Sequence, residues 1–139
     1  MSCLRLRAAL SNLETAQTFV RENALRAGLD ENKVQRIELA LEEAIINIID
    51  HAYGGNGGEL TLCCTPVRGG VEISLGDEGP PFNPLEAPLE KVASVITAQR
   101  IGGMGLPLIR SLTDVFRYRR EDGRNVLSLR FLHKYGEET

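Results

Sequence analysis

The chain has 139 residues, of which 42% are hydrophobic and 25% are charged, and its formal net charge at pH 7 is -3. These values predict one ordinary globular domain that is long enough to bury a single hydrophobic core. They give no sign of a nucleic-acid-binding surface, and no apolar run suits a membrane span or a signal peptide, so we expect a cytoplasmic protein with neither of those partners.

The start of the chain predicts an edge strand followed by a helix. Residues 3–8 alternate between two kinds of side chain, which is the period of a half-buried strand, and we expect this strand at an edge of a sheet. Ser11 or Asn12 is predicted to cap a helix whose apolar residues recur every three to four positions. Gly28 comes after these residues and is predicted to end the helix.

The second predicted helix carries polar residues although its sequence otherwise suits burial. Asp30 is predicted to cap this helix, and the glycine-rich segment 54–58 ends it. Glu43, Asn47 and His51 recur every four residues, so they stack on one helix face. Taken alone, a solvated carboxylate and an amide at the edge of a crevice are the simpler interpretation of this pattern.

The middle of the chain predicts a hairpin and then a long loop. Residues 59–67 and 70–76 form two strand-like runs that are joined by a short glycine-containing segment. Prolines forbid regular structure at the start of segment 80–101, in which at most one short helix is predicted, around residues 89–97. A connection of this length inside a compact domain is usually functional or mobile.

The end of the chain predicts a third helix and a second hairpin. Residues 105–114 show helical spacing, and residues 115–120 and 124–132 alternate on either side of an Asp-Gly turn at 121–123. Strands in hairpins together with helices in blocks predict an α+β fold. We expect a two-layer α/β sandwich in which a mixed, mainly antiparallel sheet carries the helices on one face.

The three cysteines, Cys3, Cys63 and Cys64, do not suggest a disulfide scaffold. Neighbouring residues of a strand point to opposite faces, so Cys63 and Cys64 are not expected to share a metal ion. We expect all three to be core or half-buried thiols in a reducing cytoplasm.

Arginines are concentrated in the last predicted hairpin, at Arg117, Arg119, Arg120, Arg124 and Arg130. A solvated outer face is the simpler interpretation of this cluster. A dedicated surface for an acidic partner is the alternative.

Two short motifs flank the long loop. Asp77 stands where a predicted strand ends, and Gly79 allows the backbone to approach a ligand closely. Gly102, Gly103 and Gly105 precede the third helix, whose N-terminal amides and dipole favour an anion such as a phosphate. Taken alone, the first motif is a plain turn and the second is a flexible hinge.

With the pair Glu43 and Asn47, segments 77–82 and 102–106 resemble, in order and rough spacing, the N, G1 and G2 boxes of the GHKL ATPase superfamily. The resemblance is closest to the small bacterial serine kinases that act as anti-sigma factors in partner-switching systems. It covers nearly the whole chain. It implies one histidine-kinase-like ATPase domain over residues 1–139, with the Bergerat ATP-binding fold.

The resemblance also implies roles for particular residues. Glu43 would be the general base, Asn47 would bind Mg²⁺, and Asp77 would accept a hydrogen bond from the adenine amine of ATP. The other implied nucleotide-binding residues are His51, Gly79, Gly102, Gly103, Met104, Gly105, Leu106 and Asn125. A packed imidazole is the alternative for His51. Arg100 would contact either a phosphate or a partner protein.

The resemblance has further implications for the loop and the last hairpin, and the sequence departs from the family pattern at one position. Segment 80–101 would be the ATP lid, and Pro81 replaces the usual second glycine of the G1 box. The resemblance places Asn125 on the last hairpin near the phosphates of the nucleotide.

The function implied by the resemblance is that of an ATP- and Mg²⁺-dependent protein serine/threonine kinase. Its substrate would be a STAS-domain anti-sigma-factor antagonist, and it would also sequester a sigma factor. We expect neither the dimerisation domain of a histidine kinase nor a transducer domain, and a homodimer is expected. The alternatives are an ATP-sensing binding module without kinase activity and a nucleotide-free interaction domain.

Overall fold

The computed structural model describes residues 1–52, 54, 57–81 and 105–133. The helices and strands, in chain order, are β1 (Ser2–Arg7), α1 (Leu13–Arg26), α2 (Glu31–Asn47), β2 (Glu59–Val67), β3 (Gly70–Asp77), α3 (Gly105–Leu112), β4 (Val115–Glu121) and β5 (Arg124–Leu132). Among the described residues, no helix combines the length and the apolar character that crossing a membrane requires. The predicted lid lies outside the described residues from position 82 onward.

The described strands form one five-stranded sheet in the order β1-β2-β3-β5-β4. Each neighbouring pair of strands is antiparallel, which agrees with the predicted mainly antiparallel sheet. Strand β1 lies at an edge, as the alternating pattern of residues 3–8 predicts. Because β5 is inserted between β3 and β4, the last residue of β3 comes to lie opposite the second residue of β5.

The hydrophobic core lies between the helices and one face of the sheet. Side chains from β2, β3 and β5 alternate, and those on the core face include Leu62, Ile73, Leu75, Leu129 and Phe131, all at most 1% exposed. The buried residues of α1 and α2 complete the same cluster; they are Ala16, Val20, Ala24, Val34, Ile37, Ala40, Leu41, Ala44 and Ile45. Full burial of one large apolar side chain stabilises the fold by about 1.5–3 kcal/mol. The predicted two-layer α+β architecture is therefore confirmed.

Helix boundaries follow the predicted signals, with one exception. Asp30 caps α2 as predicted, since its side chain accepts a hydrogen bond from the backbone N–H of Lys33 at 2.9 Å. Gly28 has a φ of +91°, which suits a glycine after a helix end. Asn12 occupies the N-cap position of α1 as predicted, but its side chain makes no capping hydrogen bond. It donates to the carbonyl oxygen of Arg7 at 2.9 Å, and a short 3₁₀ turn leads the chain into α1.

The end of the second helix also differs from the predicted continuous α-helix. After Asn47 the backbone changes to a π-helical turn over Ile48–Ala52. A π-helical turn is wider than an α-helical one and is often found at functional sites. His51 therefore lies on this wider turn, while Glu43 and Asn47 lie on α2 itself.

Both predicted hairpins are present. The β2–β3 turn contains Gly69 with a φ of +84°. In the β4–β5 turn, Asp122 and Gly123 have φ values of +52° and +77°, the pair of positive angles that a two-residue hairpin turn of type I′ requires. The Asp-Gly sequence signal is thus confirmed.

The expectation that all three cysteines are free thiols is wrong. Cys3 of β1 lies opposite Cys63 of β2, and the two form a disulfide across 60 residues of sequence. Cys64 is a free, buried cysteine. The prediction considered only Cys63 and Cys64, which are neighbours along one strand. The antiparallel pairing of β1 with β2 places Cys3 directly opposite Cys63, on the same face of the sheet.

Candidate functional site

Glu43, Asn47 and His51, the polar stripe of the second helix and its following turn, differ in exposure. Glu43 is 4% exposed, Asn47 is half-buried and His51 is exposed. The adjacent carboxylate, Glu42, is half-buried. Glutamate is rarely this well buried because taking a carboxylate out of water costs free energy. Glu43 is therefore the carboxylate of this helix that most needs a functional explanation.

A second buried carboxylate lies where β3 ends. Asp77 and Asn125 are 5% and 6% exposed and face each other across the β3–β5 pair. Oδ1 of Asp77 accepts hydrogen bonds at 2.9 Å from the backbone N–H of Gly79 and from Nδ2 of Asn125. Two donors thus fix the orientation of the carboxylate. The hydrogen bonds described for Asp77 all use Oδ1, which leaves Oδ2 for a ligand.

The loop after β3 is held by two further side chains that the sequence interpretation missed. Tyr118 donates its hydroxyl hydrogen to Oδ1 of Asn125 at 2.6 Å. Arg120 donates from Nη1 to the carbonyl oxygen of Gly79 at 2.7 Å. Asn125 also donates from Nδ2 to the carbonyl oxygen of Pro80 at 2.9 Å. The segment from Asp77 to Pro80 is therefore braced from β4 and β5.

The alternation of side chains along β4 distinguishes Arg120 from Arg117 and Arg119, because it places Arg120 on the other face of the sheet. Successive residues of a strand point to opposite faces, so Tyr118 and Arg120 share the core face, and Arg117 and Arg119 share the open face. Arg117 and Arg119 are exposed, in agreement with a solvated outer face. Arg120 is exposed as well but also donates to the loop after β3. Arg124 and Arg130 are half-buried on the open face and bond to Thr61 and Glu72, so the cluster is not a uniformly solvated face.

An acidic residue before β4 links the start of α2 to the end of β5. Lys33 near the start of α2 places Nζ at 3.1 Å from Oδ2 of Asp114. The same oxygen accepts a hydrogen bond from the backbone N–H of Leu132 at 2.8 Å, so α2 begins near the end of β5. Helix α2 is about 25 Å long, and its apolar side chains join the core.

Helix α3 is held against α2 by its last residues. Arg36 donates from Nη2 to the carbonyl oxygens of Ser111 and Leu112 at 3.2 and 3.4 Å. The C-terminal end of α3 thus lies beside the first turns of α2. The N-terminal end of α3 begins at Gly105, one of the glycines for which the sequence predicts a phosphate site. Helix N-termini carry free amides and a positive dipole end, which favour an anion.

The structure brings some predicted site residues together and does not describe others. Asp77 is hydrogen-bonded to both Gly79 and Asn125, and Glu43 and Asn47 lie on α2. Gly105 and Leu106 begin α3. Three other predicted residues, Gly102, Gly103 and Met104, lie outside the described residues, as does Arg100. Asn125 is found against Asp77, and its predicted place near the phosphates stays a prediction.

The sequence matches the family model of the histidine kinase-like ATPase domain over residues 6–131. It is 28% identical over 117 residues to the serine-protein kinase RsbW of Listeria monocytogenes, a match that covers 80% of this chain and 74% of that protein. It is 31% identical over 94 residues to the serine/threonine-protein kinase BtrW of Bordetella bronchiseptica, covering 67% of this chain and 66% of BtrW.

A solved structure shows the same fold. The crystal structure of the RsbU and RsbW domains of Rv1364c from Mycobacterium tuberculosis aligns with a TM-score of 0.60 at 18% sequence identity. The alignment covers 95% of this chain and 32% of that one, so the present chain spans about a third of the length of that protein. At this identity, the similarity concerns the fold alone.

Proposed function

The chain belongs to the histidine kinase-like ATPase domain family, and from this premise we propose that it is an ATP-dependent protein serine/threonine kinase. The observation that carries the proposal is a pair of buried carboxylates, Glu43 on α2 and Asp77 at the end of β3, of which Asp77 is held in orientation by hydrogen bonds from Gly79 and Asn125. One carboxylate is suited to recognise the base of a nucleotide. The other is suited to act on a hydroxyl near its phosphates.

Asp77 supports a preference for adenine. A carboxylate oxygen only accepts hydrogen bonds at neutral pH, so Oδ2 suits the exocyclic amine of adenine and repels the carbonyl oxygen of guanine. With Oδ1 held by Gly79 and Asn125, the carboxylate does not turn to avoid this mismatch. An unsatisfied buried polar group costs about 1–3 kcal/mol, which is a substantial preference for one base.

Glu43 is proposed as the general base for the hydroxyl of a protein substrate. Phosphoryl transfer needs mostly positioning and charge stabilisation, so the contribution of this residue is to orient the hydroxyl and accept its proton. The side-chain oxygen of Asn47, one turn further along α2, is the type of hard ligand that Mg²⁺ prefers. When bound, Mg²⁺ would neutralise phosphate charge.

The substrate and partners are proposed by similarity to the relatives. RsbW and BtrW are named as serine and serine/threonine protein kinases, which supports a serine- or threonine-bearing protein as the acceptor. We propose a STAS-domain antagonist in this role, a sigma factor as the sequestered partner, and a homodimer as the working form. A kinase needs cellular ATP, and this requirement supports the cytoplasm as its location.

The proposal is tested by phosphoryl transfer from labelled ATP in the presence of Mg²⁺ and candidate STAS-domain proteins. We expect Glu43→Gln to reduce transfer by about 10²–10⁴-fold, the range that general-base catalysis supplies, with ATP binding retained. Glu42→Gln is the matched control because it removes the same charge from the neighbouring position, and it should keep transfer near the wild-type rate. Full transfer by Glu43→Gln would remove Glu43 from this role. ATP binding by the wild type without transfer to any candidate would favour a sensing module.

A further inference from the structure

The open face of the sheet carries a pair of cysteines that the proposed kinase chemistry does not use. Cys3 is exposed and Cys63 is half-buried. They are direct cross-strand partners on β1 and β2, with Cα atoms 4.0 Å apart, and they form a disulfide. Because this face lies opposite the helix layer, small reagents in solution reach the pair without passing through the core.

The third cysteine lies in a contrasting environment. Cys64 follows Cys63 on the same strand, so it points to the opposite face, where it is 1% exposed. Burial raises the pKa of the Cys64 thiol to about 12. The thiolate is the reactive form of cysteine, so Cys64 stays an unreactive thiol at neutral pH. Cys3 and Cys63 are therefore accessible on the open face, whereas Cys64 is buried on the core face and unreactive.

We propose that Cys3 and Cys63 form a reversible thiol–disulfide site whose co-reactants are small thiols and disulfides of the glutathione class. In the reduced protein, the more exposed Cys3 attacks the small disulfide as a thiolate, forms a mixed disulfide and releases one small thiol. Cys63 then attacks the sulfur of Cys3 in the mixed disulfide and releases the second small thiol. Two electrons and two protons pass from the protein to the small disulfide. The reverse sequence opens the bond.

The surroundings of the pair suit such a reaction. Arg5 is exposed on the same face of β1, about 7 Å further along the strand. A nearby cation stabilises a thiolate and attracts the carboxylates of glutathione. The backbone register of β1 and β2 holds the two sulfurs on facing positions, so the second step is intramolecular and competes well with release of the mixed disulfide.

The bond acts on the edge strand of the sheet. The side chains of β1 are exposed or half-buried, and its strand pairing is with β2 alone. Opening the disulfide removes a covalent link, and β1 is then held by non-covalent contacts, which include this pairing, the half-buried side chains of Leu4 and Leu6, and the hydrogen bond from Asn12 to the carbonyl oxygen of Arg7. We therefore expect the amides of β1 to exchange with solvent faster in the reduced protein. Strand β4, the opposite edge, contains no cysteine and should exchange equally in both forms.

The direct test is thiol mapping of the folded wild-type protein in glutathione buffers of graded ratio. Alkylation and mass spectrometry should show that Cys3 and Cys63 become protected together, with the loss of two hydrogen atoms and no retained glutathione. Dithiothreitol should reverse this without unfolding, and Cys64 should be alkylated only after denaturation. Glutathione retained on both cysteines, or reduction that requires denaturant, would overturn the proposal.

Three variants sharpen the test. Cys3→Ser and Cys63→Ser should each retain glutathione on the remaining cysteine, while Cys64→Ala should close the pair as the wild type does. Closure by either serine variant through Cys64 would contradict the assignment. Hydrogen exchange that is equal for β1 in the oxidised and reduced wild type would refute the effect on the edge strand. These measurements contain no ATP, so their outcome is independent of the proposed kinase activity.

Discussion

At the scale of single residues, the candidate site depends on buried polar groups that hold one another in place. Asp77 and Asn125 are almost fully buried, and each is hydrogen-bonded in the structure. Tyr118 extends this chain of hydrogen bonds to β4. Inside a protein such a network restricts side-chain rotation more than isolated contacts at the surface do. The expected result is a carboxylate whose ligand-binding oxygen is set before a nucleotide arrives.

The Tyr118→Phe variant tests whether this bracing matters for nucleotide binding. Removing the hydroxyl leaves Oδ1 of Asn125 without the bond at 2.6 Å and keeps the ring in the core. One lost hydrogen bond is worth about 0.5–1.5 kcal/mol, so we expect ATP affinity to fall by up to about ten-fold. Isothermal titration calorimetry measures the change, and circular dichroism checks the fold. Unchanged affinity would show that Asp77 does not need this support.

Some of these residues were predictable from the sequence and some were not. Asp77 and Gly79 stand out because a carboxylate and a glycine follow the end of an alternating strand. Tyr118 and Arg120 were missed, because a side chain's partner depends on which strand lies beside its own. Since β3 and β4 are not neighbours in the sheet, the contact of Arg120 with the loop after β3 is not visible in local patterns.

At the scale of helices and strands, a few side-chain contacts attach α2 to the sheet and to α3. Asp114 ties the start of α2 to the end of β5, and Arg36 ties α2 to the last residues of α3. Leu132 and Asn125 lie at opposite ends of β5, so the Asp114 contact acts on the packing of α2 and does not touch the Asp77 network directly.

The Asp114→Asn variant tests the first of these contacts. The carboxylate accepts from the backbone N–H of Leu132 and pairs with Lys33, so replacing the charged group weakens two contacts. We expect the free energy of unfolding to fall by about 1–3 kcal/mol, because one of the contacts is a hydrogen bond to a charged group. Urea denaturation measures this change.

Glu121→Gln is the matched control for that variant. It removes a carboxylate from the exposed pair with Arg119 on β4, and exposed pairs contribute about 0–1 kcal/mol. The control should therefore cost clearly less than Asp114→Asn. Equal losses of stability would mean that Asp114 is an ordinary surface carboxylate and not an anchor.

Local signals predicted most of the elements, and their exceptions have physical causes. Caps, glycines and alternation located α2 and both hairpins, because these depend on neighbours in sequence. The π-helical turn after Asn47 and the pairing of Cys3 with Cys63 were not predicted. The π-helical turn depends on how the end of the helix packs against the surrounding structure, and the cysteine pairing depends on the register of two strands. Neither can therefore be predicted from a short stretch of sequence.

At the scale of the whole molecule, the two faces of the sheet differ in the residues they carry, because the helices cover only one of them. One face carries the core and, at its end, the buried residues Asp77 and Asn125. The open face carries the Cys3–Cys63 pair and exposed arginines of β4. Because β5 lies between β3 and β4, Asn125 of β5 is placed opposite Asp77 of β3. This position of β5 was not predicted from the order of elements.

The central claim, that this fold holds an ATP site read by Asp77, is tested most directly by calorimetric titration of ATP and GTP with Mg²⁺. We predict saturable binding of ATP by the wild type, about 5–150-fold tighter than GTP, which corresponds to 1–3 kcal/mol. In Asp77→Asn, the two donors to Oδ1 should hold the new amide oxygen at that position, so that a nitrogen donor faces the base and the preference shifts toward GTP. An absence of saturable ATP binding by the wild type, or equal binding of the two nucleotides, would contradict the claim.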